Sequence, residues 1–269
     1  MSGCTTTNYD DNSWGTFVPV PFSGYICGFE ESQTLMQLPY FYSSSDKLSV
    51  EDVSQINLLG DNLVLRCEKI NMLQPKSNDE YDYMLSTLSF RVNMPEHGEY
   101  IVSKIEIVLQ DKRVITRELG EINFTTISSN VQTMPISMTQ FMINQADYTE
   151  LKVAFKNESV NTVDITSLSY LDEMYENCTI KKYLDFELNE EEEGLNIPAR
   201  ETRTFLFSLS PNDSYFNKGE EHYLYLLPLI YFSENNVDCI MPAQTQATIV
   251  QPPFKPEYAL ELMSGNIVQ

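Results

Sequence analysis

The chain has few basic residues. Lys and Arg total 17 against 39 Asp and Glu, which gives a formal net charge of −22 over 269 residues. Nucleic-acid binding depends on Lys and Arg that displace counterions from phosphates, and the same charge is repelled by anionic lipid headgroups. The composition therefore predicts no nucleic-acid partner and no peripheral binding to acidic membranes. No run of about 18 apolar residues occurs, so no membrane-spanning helix is predicted either.

Sequence motifs of common enzymes are also missing. The two histidines, His97 and His222, do not have the spacing of a zinc site, and neither a Gly-x-Ser-x-Gly nucleophile turn nor a phosphate-binding glycine loop occurs. We interpret His97 as a solvated turn residue and His222 as the start of a strand. The sequence predicts no catalytic residues, no metal and no cofactor. A glycosidase-like pair of carboxylates is kept as an alternative, although nothing distinguishes two of the 39 acids.

Tyrosine and phenylalanine are abundant, with 16 and 14 copies against one Trp, and they fit the pleated surface of a β-strand. Short runs that alternate apolar and polar residues end at Gly, Pro and Asn. They predict strands at 62–67, 84–92, 100–109, 114–116, 151–157, 163–170, 202–209 and 223–232. In the last run, Pro228 removes a ladder donor, which indicates an edge strand or a bulge.

Two segments of the chain share one pattern. In the first segment, a strand is followed by a Pro, a Gly-Glu pair, Tyr100 and a β run that ends near Val114. In the second segment the same features occur in the same order, with Tyr223 and Val237 at the corresponding positions. Both Tyr-to-Val spans cover 15 residues, and they start 123 residues apart, close to the length of one immunoglobulin-sized sandwich. Either the halves are copies, or they share only the general pattern of β-hairpins.

We therefore predict an all-β fold with two tandem immunoglobulin-like β-sandwich domains. The proposed division is a flexible polar leader at 1–15, a first sandwich at 16–135, a second at 136–250 and a tail at 251–269. The tail includes two predicted helical turns at 257–263.

The first dozen residues carry a family resemblance. Ser2-Gly3-Cys4, followed by a polar stretch at 5–12, resembles the processing site and tether of a bacterial lipoprotein. The resemblance implies that Cys4 carries a lipid and that the protein is extracytoplasmic, attached to the membrane only through that lipid. The alternative is a cytoplasmic protein with a chance Ser-Gly-Cys.

Four further cysteines, in no C-x-x-C pair, divide evenly between the two halves. In an extracytoplasmic protein they are disulfide candidates, and the pairs that respect the domains are Cys27–Cys67 and Cys178–Cys239. Four cysteines allow three connectivities, and four buried free thiols are the equal alternative.

Residues 150–232 resemble the immunoglobulin-like accessory domains of secreted Gram-positive lipoproteins, through the strand at 151–157 and the Ile-Pro-Ala-Arg-Glu-Thr segment at 197–202. The resemblance implies a surface-anchored binding or spacer module without catalytic residues. We expect a non-catalytic binding or scaffold protein with a protein or cell-envelope partner.

Two surface features suggest where a ligand would bind. Tyr40, Tyr42 and Tyr225 could form a platform for a sugar or a peptide, with burial in the core as the alternative. The acidic run at 190–193 could hold a cation or a basic partner, and we interpret it as a solvated, self-repelling loop.

Overall fold

The computed structural model describes residues 15–21, 23–44, 48–73, 76–77, 83–128, 135–143, 150–169, 175–211, 224–227, 229–242, 248–250 and 256–264. Within them the fold is all-β, as predicted, apart from a short 3₁₀ turn and one helix. The elements in chain order are β1 (Val18–Pro19), β2 (Ser23–Phe29), β3 (Gln33–Ser43), β4 (Val53–Gly60), β5 (Leu63–Met72), β6 (Lys76–Ser77), β7 (Tyr83–Asn93), β8 (Gly98–Leu109), β9 (Val114–Ile127), β10 (Ile136–Ile143), β11 (Glu150–Asn157), β12 (Val163–Ser169), β13 (Tyr175–Tyr183), β14 (Glu191–Glu192), β15 (Asn196–Ile197), β16 (Thr202–Pro211), β17 (Leu224–Leu227), β18 (Leu229–Glu234), β19 (Val237–Pro242), β20 (Thr248–Val250) and helix α1 (Pro256–Met263).

Every predicted strand overlaps an observed one. The run at 223–232 differs in one respect, because it divides into β17 and β18, which belong to different sheets. Pro228 itself lies outside the described residues. The two helical turns predicted at 257–263 are confirmed by α1.

The first half of the chain encloses its core with one sheet, in the order β1-β3-β7-β5-β4-β8-β9-β2. Strands β2 and β3 stand six positions apart in this order, which in a flat sheet would separate them by about 29 Å. The turn between Phe29 and Gln33 can span only about 14 Å. The sheet must therefore fold over, so that β1-β3-β7-β5 faces β4-β8-β9-β2, and β1 also contacts β9.

Alternating side chains fill the space between these layers. On β8, the buried residues Val102, Ile105, Ile107 and Leu109 are separated by more exposed ones, because successive side chains of a strand point to opposite faces. Each buried aliphatic side chain contributes roughly 1.5–3 kcal/mol. Leu262 of α1 joins the same core, so the C-terminal helix packs on the first half.

The second half is built from two separate sheets that share one core. Their orders are β10-β11-β16-β13-β14 and β15-β12-β18-β19. Buried residues from both sheets form a single cluster that includes Val153, Phe205, Ile165 and Phe232. This arrangement is a β-sandwich.

Seven strands of each half follow the immunoglobulin order. In that fold, strands lettered A to G along the chain form the sheets A-B-E-D and C-F-G. The first half gives β1-β3-β7-β5 and β4-β8-β9, and the second gives β10-β11-β16-β13 and β12-β18-β19. The halves differ in how their two layers are connected. In the first half, β4 and β5 are hydrogen-bonded and join the two layers into one sheet, whereas the two layers of the second half are separate sheets. The shared order supports the hypothesis that the halves are copies.

The two halves also contact each other. Strand β17 pairs in parallel with β2, and β20 pairs with β17, so residues from the second half extend the sheet of the first. Nearby, Cys27, Ile127 and Leu229 form a third buried cluster between β2, β9 and β18. The division at residues 135 and 136 remains a proposal.

Candidate functional site

The tyrosines predicted to form a ligand platform are buried. Tyr40 and Tyr42 lie on β3 with 0% and 7% of their surface exposed. The Tyr40 ring centroid is 4.8 Å from that of Phe17 and 5.8 Å from that of Tyr42. Burial raises the pKa of Tyr40 to about 12, against a smaller lowering by the Ser86 hydroxyl. The two rings belong to the core and cannot meet a ligand from solvent, which corrects the expectation of a surface platform.

Three consecutive aromatic residues could have revealed this burial. Tyr40, Phe41 and Tyr42 point alternately to both faces of β3, and all three are buried, so the strand is covered on both sides. Tyr225 lies on β17, and its side chain is outside the described part of the chain.

The structure does not bring Cys27 and Cys67 together. Cys27 lies on β2, at the far end of its layer, while Cys67 lies on β5, four positions away in the strand order. Both are buried free thiols. Burial raises the pKa of Cys27 to about 12, opposed by hydrogen bonds with Tyr25 and Thr125, and burial raises the pKa of Cys67 as well.

Cys178 and Cys239 are also free thiols, and both are partly exposed. Cys178 lies on β13, which is tied to the β15 side of the sandwich by the 3.0 Å hydrogen bond from Lys182 Nζ to Asn196 Oδ1. Cys239 lies on β19, at the opposite edge of the sheet that contains β15. The second predicted pair is therefore not brought together either. Cys4 lies outside the described residues.

Part of the acidic run pairs with basic residues of its own chain. Glu191 and Glu192 form β14, which pairs with β13. The Glu192 carboxylate lies 2.6 Å from Arg203 Nε and 3.4 Å from Lys182 Nζ. The Arg203 hydrogen bond, followed by the charges of Arg203 and Lys182, lowers the pKa of Glu192. Glu190, Glu191 and Glu193 are exposed, as expected of a solvated run. The expectation of a self-repelling loop is corrected, because the run includes a β-hairpin held by ion pairs.

His97 is exposed, as predicted, but it is not free of the protein. Its Nδ1 lies 2.8 Å from the carbonyl oxygen of Thr126, and because a carbonyl only accepts, Nδ1–H donates. The bond links the loop after β7 to the end of β9. His222 lies outside the described residues.

A shallow groove of about 380 Å³ lies on the first half. Its lining residues come from β5, the loop after β7 and the start of β8, and they include Leu63, Val64, Arg66, Met94, Pro95 and Tyr100. Val64 is 65% exposed. Its apolar side chain is therefore open to solvent at the edge of a concave surface.

Local contacts fix the walls of this groove. Met94 N donates to Ser32 O over 2.8 Å, and Tyr100 Oη donates to Glu96 O over 3.0 Å. The β4–β5 hairpin approaches β8 so closely that a Cβ on Gly60 would lie 2.1 Å from Ile101 O. The groove is therefore formed before any partner arrives.

Sequence reasoning did not identify the groove. Its one local signal is the run from Leu63 to Arg66, in which Val64 is apolar at the outward position of an alternating strand. The groove is also lined by the loop at 94–97. This loop lies beside β5 because β5 pairs with β7, and a local sequence pattern does not predict that pairing. Arg66 and Glu96 supply one charge of each sign to its lining.

Two other kinds of site are absent from the described ranges. They contain no group of three His, Cys, Asp or Glu side chains placed to hold a metal ion. They also contain no helix of the length and apolarity needed to cross a membrane.

Among solved structures, the chain is similar to the D00-D0 domain of Intimin. The identity is 10%, the match covers 87% of this chain and 98% of that chain, and the TM-score is 0.23. No family model and no curated protein sequence matches the chain. The immunoglobulin-like fold is assigned from the strand order, and the candidate site is assigned from its side chains.

Proposed function

We propose that this protein is a non-catalytic binding or scaffold protein, and that the groove beside Val64 contacts a protein partner. The observation that supports the proposal is the preformed groove with an exposed apolar rim. Leu63 and Val64 offer apolar contact area, and Ile101, also exposed, lies next to the hairpin that carries them. Met94, which also lines the groove, belongs to the buried core. A partner that covers these side chains gains roughly 25 cal/mol for each Å² of apolar surface removed from water.

The net charge indicates the chemistry of the partner. A charge of −22 attracts basic molecules and speeds their association, while it repels acidic ones. The best-fitting partner is an extended basic segment that places one apolar side chain in the groove and Lys or Arg around it. The apolar anchor provides affinity, and the charges provide steering and selectivity.

NMR titration of the whole chain tests this proposal. The probe is a short peptide that alternates Lys with Leu, compared with a peptide in which Glu replaces each Lys. We expect the basic peptide to shift the amide signals of Val64, Leu65 and Met94, with weaker binding at high salt, and the acidic peptide to shift none of them.

A matched pair of valine variants separates the groove from general charge attraction. Val64→Glu places a charge on the groove rim, whereas Val160→Glu places the same charge on an equally exposed loop of the other half. We expect the first variant to lose binding at least tenfold and the second to bind like the unmodified protein. Equal losses in both variants would reject the groove as the contact site.

We propose further that Cys4 is lipid-modified and that the protein acts at the extracytoplasmic surface. The support is the Ser2-Gly3-Cys4 sequence and the polar stretch after it. The end of this leader is tied down, because the Arg117 side chain donates to Gly15 O and Phe17 O over 2.9 and 3.0 Å. This contact joins the residues after the leader to β9.

Mass spectrometry of the protein from its native cells tests the anchor. A diacylglycerol-modified Cys4 as the first residue supports it, and an unmodified Met1 at the N-terminus contradicts it. Alkylation in the same experiment tests the thiols. We expect Cys178 and Cys239 to react in the folded protein and Cys27 and Cys67 only after unfolding, whereas four unreactive cysteines would support the disulfides.

A further inference from the structure

Among the described residues, one long sheet edge has little of the protection that keeps sheet edges from pairing. An edge strand presents unpaired N–H and C=O groups, and proteins protect it by shortness, charge, proline, a β-bulge or a covering segment. Within the described residues, edges β1, β14, β15 and β20 are two or three residues long. Strand β19 is longer, but it carries Asp238 and contacts β2.

Strand β10 is the exception. It runs for eight residues, Ile136–Ile143, without a charged residue or a proline, in a chain of which 21% is charged. It pairs with β11 on one side, and no described strand pairs with the other. The corresponding strand of the first half, β1, has two residues and ends at Pro19. The first half thus protects this edge by shortness and proline, and the described residues of the second half do not.

The exposed side chains of β10 also distinguish this edge from the short edge β1. Met142 is 49% exposed, and Gln140 is also exposed. A bulge falls between Met138 and Gln140, where the Thr139 hydroxyl donates to Ala154 O over 3.1 Å. The segment after the bulge, Gln140–Ile143, returns to regular pairing with β11 and leaves a straight, uncharged outer edge.

Charge near this edge is close to balanced. The adjoining charges are Lys152 and Lys156 against Glu150 and Glu158, in a molecule whose net charge is −22. Lys156 pairs with Glu158 at 2.9 Å, and Lys152 lies over the Phe186 ring at 4.1 Å. A second molecule of the same negative charge therefore meets less repulsion at these four residues than the net charge alone implies.

We propose that the outer edge of β10 binds the same edge of a second copy of this chain. A two-fold axis makes such a pair antiparallel and self-complementary, and it joins the two five-stranded sheets into one continuous sheet. The pair satisfies the free backbone groups of Gln140–Ile143 and covers Met142. In a surface-attached protein it would link neighbouring molecules side by side.

The expected association is weak and reversible. One strand pair buries less than the ~1,200 Å² of a stable interface, so we expect dimers that dissociate on dilution. Sedimentation velocity of the whole chain, from about 10 μM to about 1 mM, measures this. Hydrogen exchange at both ends of that range locates the contact, and we expect exchange at 140–143 to slow as concentration rises.

Paired variants make the test specific. Gln140→Lys together with Met142→Lys places like charges on both copies of the edge, and we expect the dimer to weaken at least tenfold. Val237→Lys adds one Lys at an exposed valine of the other long edge, β19, and we expect it to dimerise like the unmodified protein. Circular dichroism confirms that each variant is folded.

Three results would overturn the proposal. They are a monomer at every concentration, a dimer that survives the double substitution but not Val237→Lys, and concentration-dependent protection outside β10. If the double variant does not fold, exchange in the unmodified protein still decides the location. The groove is tested separately by Val64→Glu, so either proposal can fail alone.

Discussion

At the scale of single residues, a buried amide holds the second sandwich at one corner. Asn157 is fully buried at the end of β11, and its Nδ2 donates to the carbonyl oxygens of Asn161, Ile197 and Pro198 at 2.8, 2.9 and 3.2 Å. Its Oδ1 accepts from Ser159 N at 2.8 Å. One side chain therefore connects the loop after β11 with the segment that follows β15.

We expect Asn157→Ala to lower the free energy of unfolding by about 1–3 kcal/mol, because the partners it leaves unpaired lie away from water. Urea unfolding followed by circular dichroism measures the change. Asn189→Ala is the control, since Asn189 is exposed and its side chain donates to Asp185, and we expect a change below about 0.5 kcal/mol. Equal effects of the two substitutions would contradict the role of Asn157.

At the scale of elements, the acidic hairpin is stabilised by charges of its own chain. Lys182 has 5% of its side chain exposed and Glu192 has 27%, so their 3.4 Å contact and the Arg203 contact are partly shielded from water. Lys182 lies on β13, Glu192 on β14 and Arg203 on β16, so these ion pairs connect the hairpin to the neighbouring strand of the sheet.

We expect Glu192→Gln to cost about 1–3 kcal/mol at pH 7, because Lys182 loses the charge of its carboxylate partner and Arg203 is left with Glu201, at 2.7 Å. The pKa of Glu192 lies below its ordinary value of 4.5 in the folded protein. Its contribution is therefore complete above that value and is lost as the pH falls through the folded pKa. Urea unfolding should show that the difference in unfolding free energy between the unmodified protein and Glu192→Gln closes below about pH 4.5. The variant of the exposed neighbour, Glu193→Gln, should show no such difference at pH 7 or below pH 4.5.

The groove depends on the close approach of the β4–β5 hairpin to β8. We expect Gly60→Ala to destabilise the protein by about 1–3 kcal/mol, because the added Cβ would overlap Ile101 O and push the hairpin away. Thermal unfolding measures stability, and the NMR peptide titration measures the groove, which should lose binding. Gly194→Ala adds a Cβ in open space at φ +72°, so it should cost only about 1–2 kcal/mol of left-handed strain and leave peptide binding intact.

At the scale of the whole molecule, the two halves are not independent units on a flexible connection. Strand β17 continues directly towards β18, yet it pairs with β2 of the first half. The cluster of Cys27, Ile127 and Leu229 is buried between the halves. Unfolding of one half should therefore affect the other.

We expect Leu229→Ala to cost about 2–5 kcal/mol and to speed hydrogen exchange in both β2 and β18, because it empties part of the shared cluster. Native-state hydrogen exchange with mass spectrometry resolves the two regions. Leu151→Ala, in the core of the second sandwich, should speed exchange there and affect β2 less than Leu229→Ala does. Loss of protection confined to β18 and β19 in the Leu229 variant would show that the halves are uncoupled.

The all-β fold could be read from the sequence because strand formation leaves a local signal. The alternation at 100–109 and 151–157 repeats every two residues, which is the period of a strand with one buried face. The match between the Tyr100 and Tyr223 segments anticipated that β8 and β18 occupy the same place in the two strand orders. These features depend on residues that are close along the chain.

The tertiary structure alone decided which side chains are inside and what they meet. The sequence placed Tyr40 and Tyr42 among candidate surface residues, but coverage of β3 on both faces buries them. It grouped the cysteines by half, whereas the strand order separates each pair. The groove beside Val64 and the weakly protected edge of β10 likewise follow from neighbours that are distant in sequence. Period-two patterns specify that strands form, and the partners of each strand are chosen by long-range pairing that no local pattern encodes.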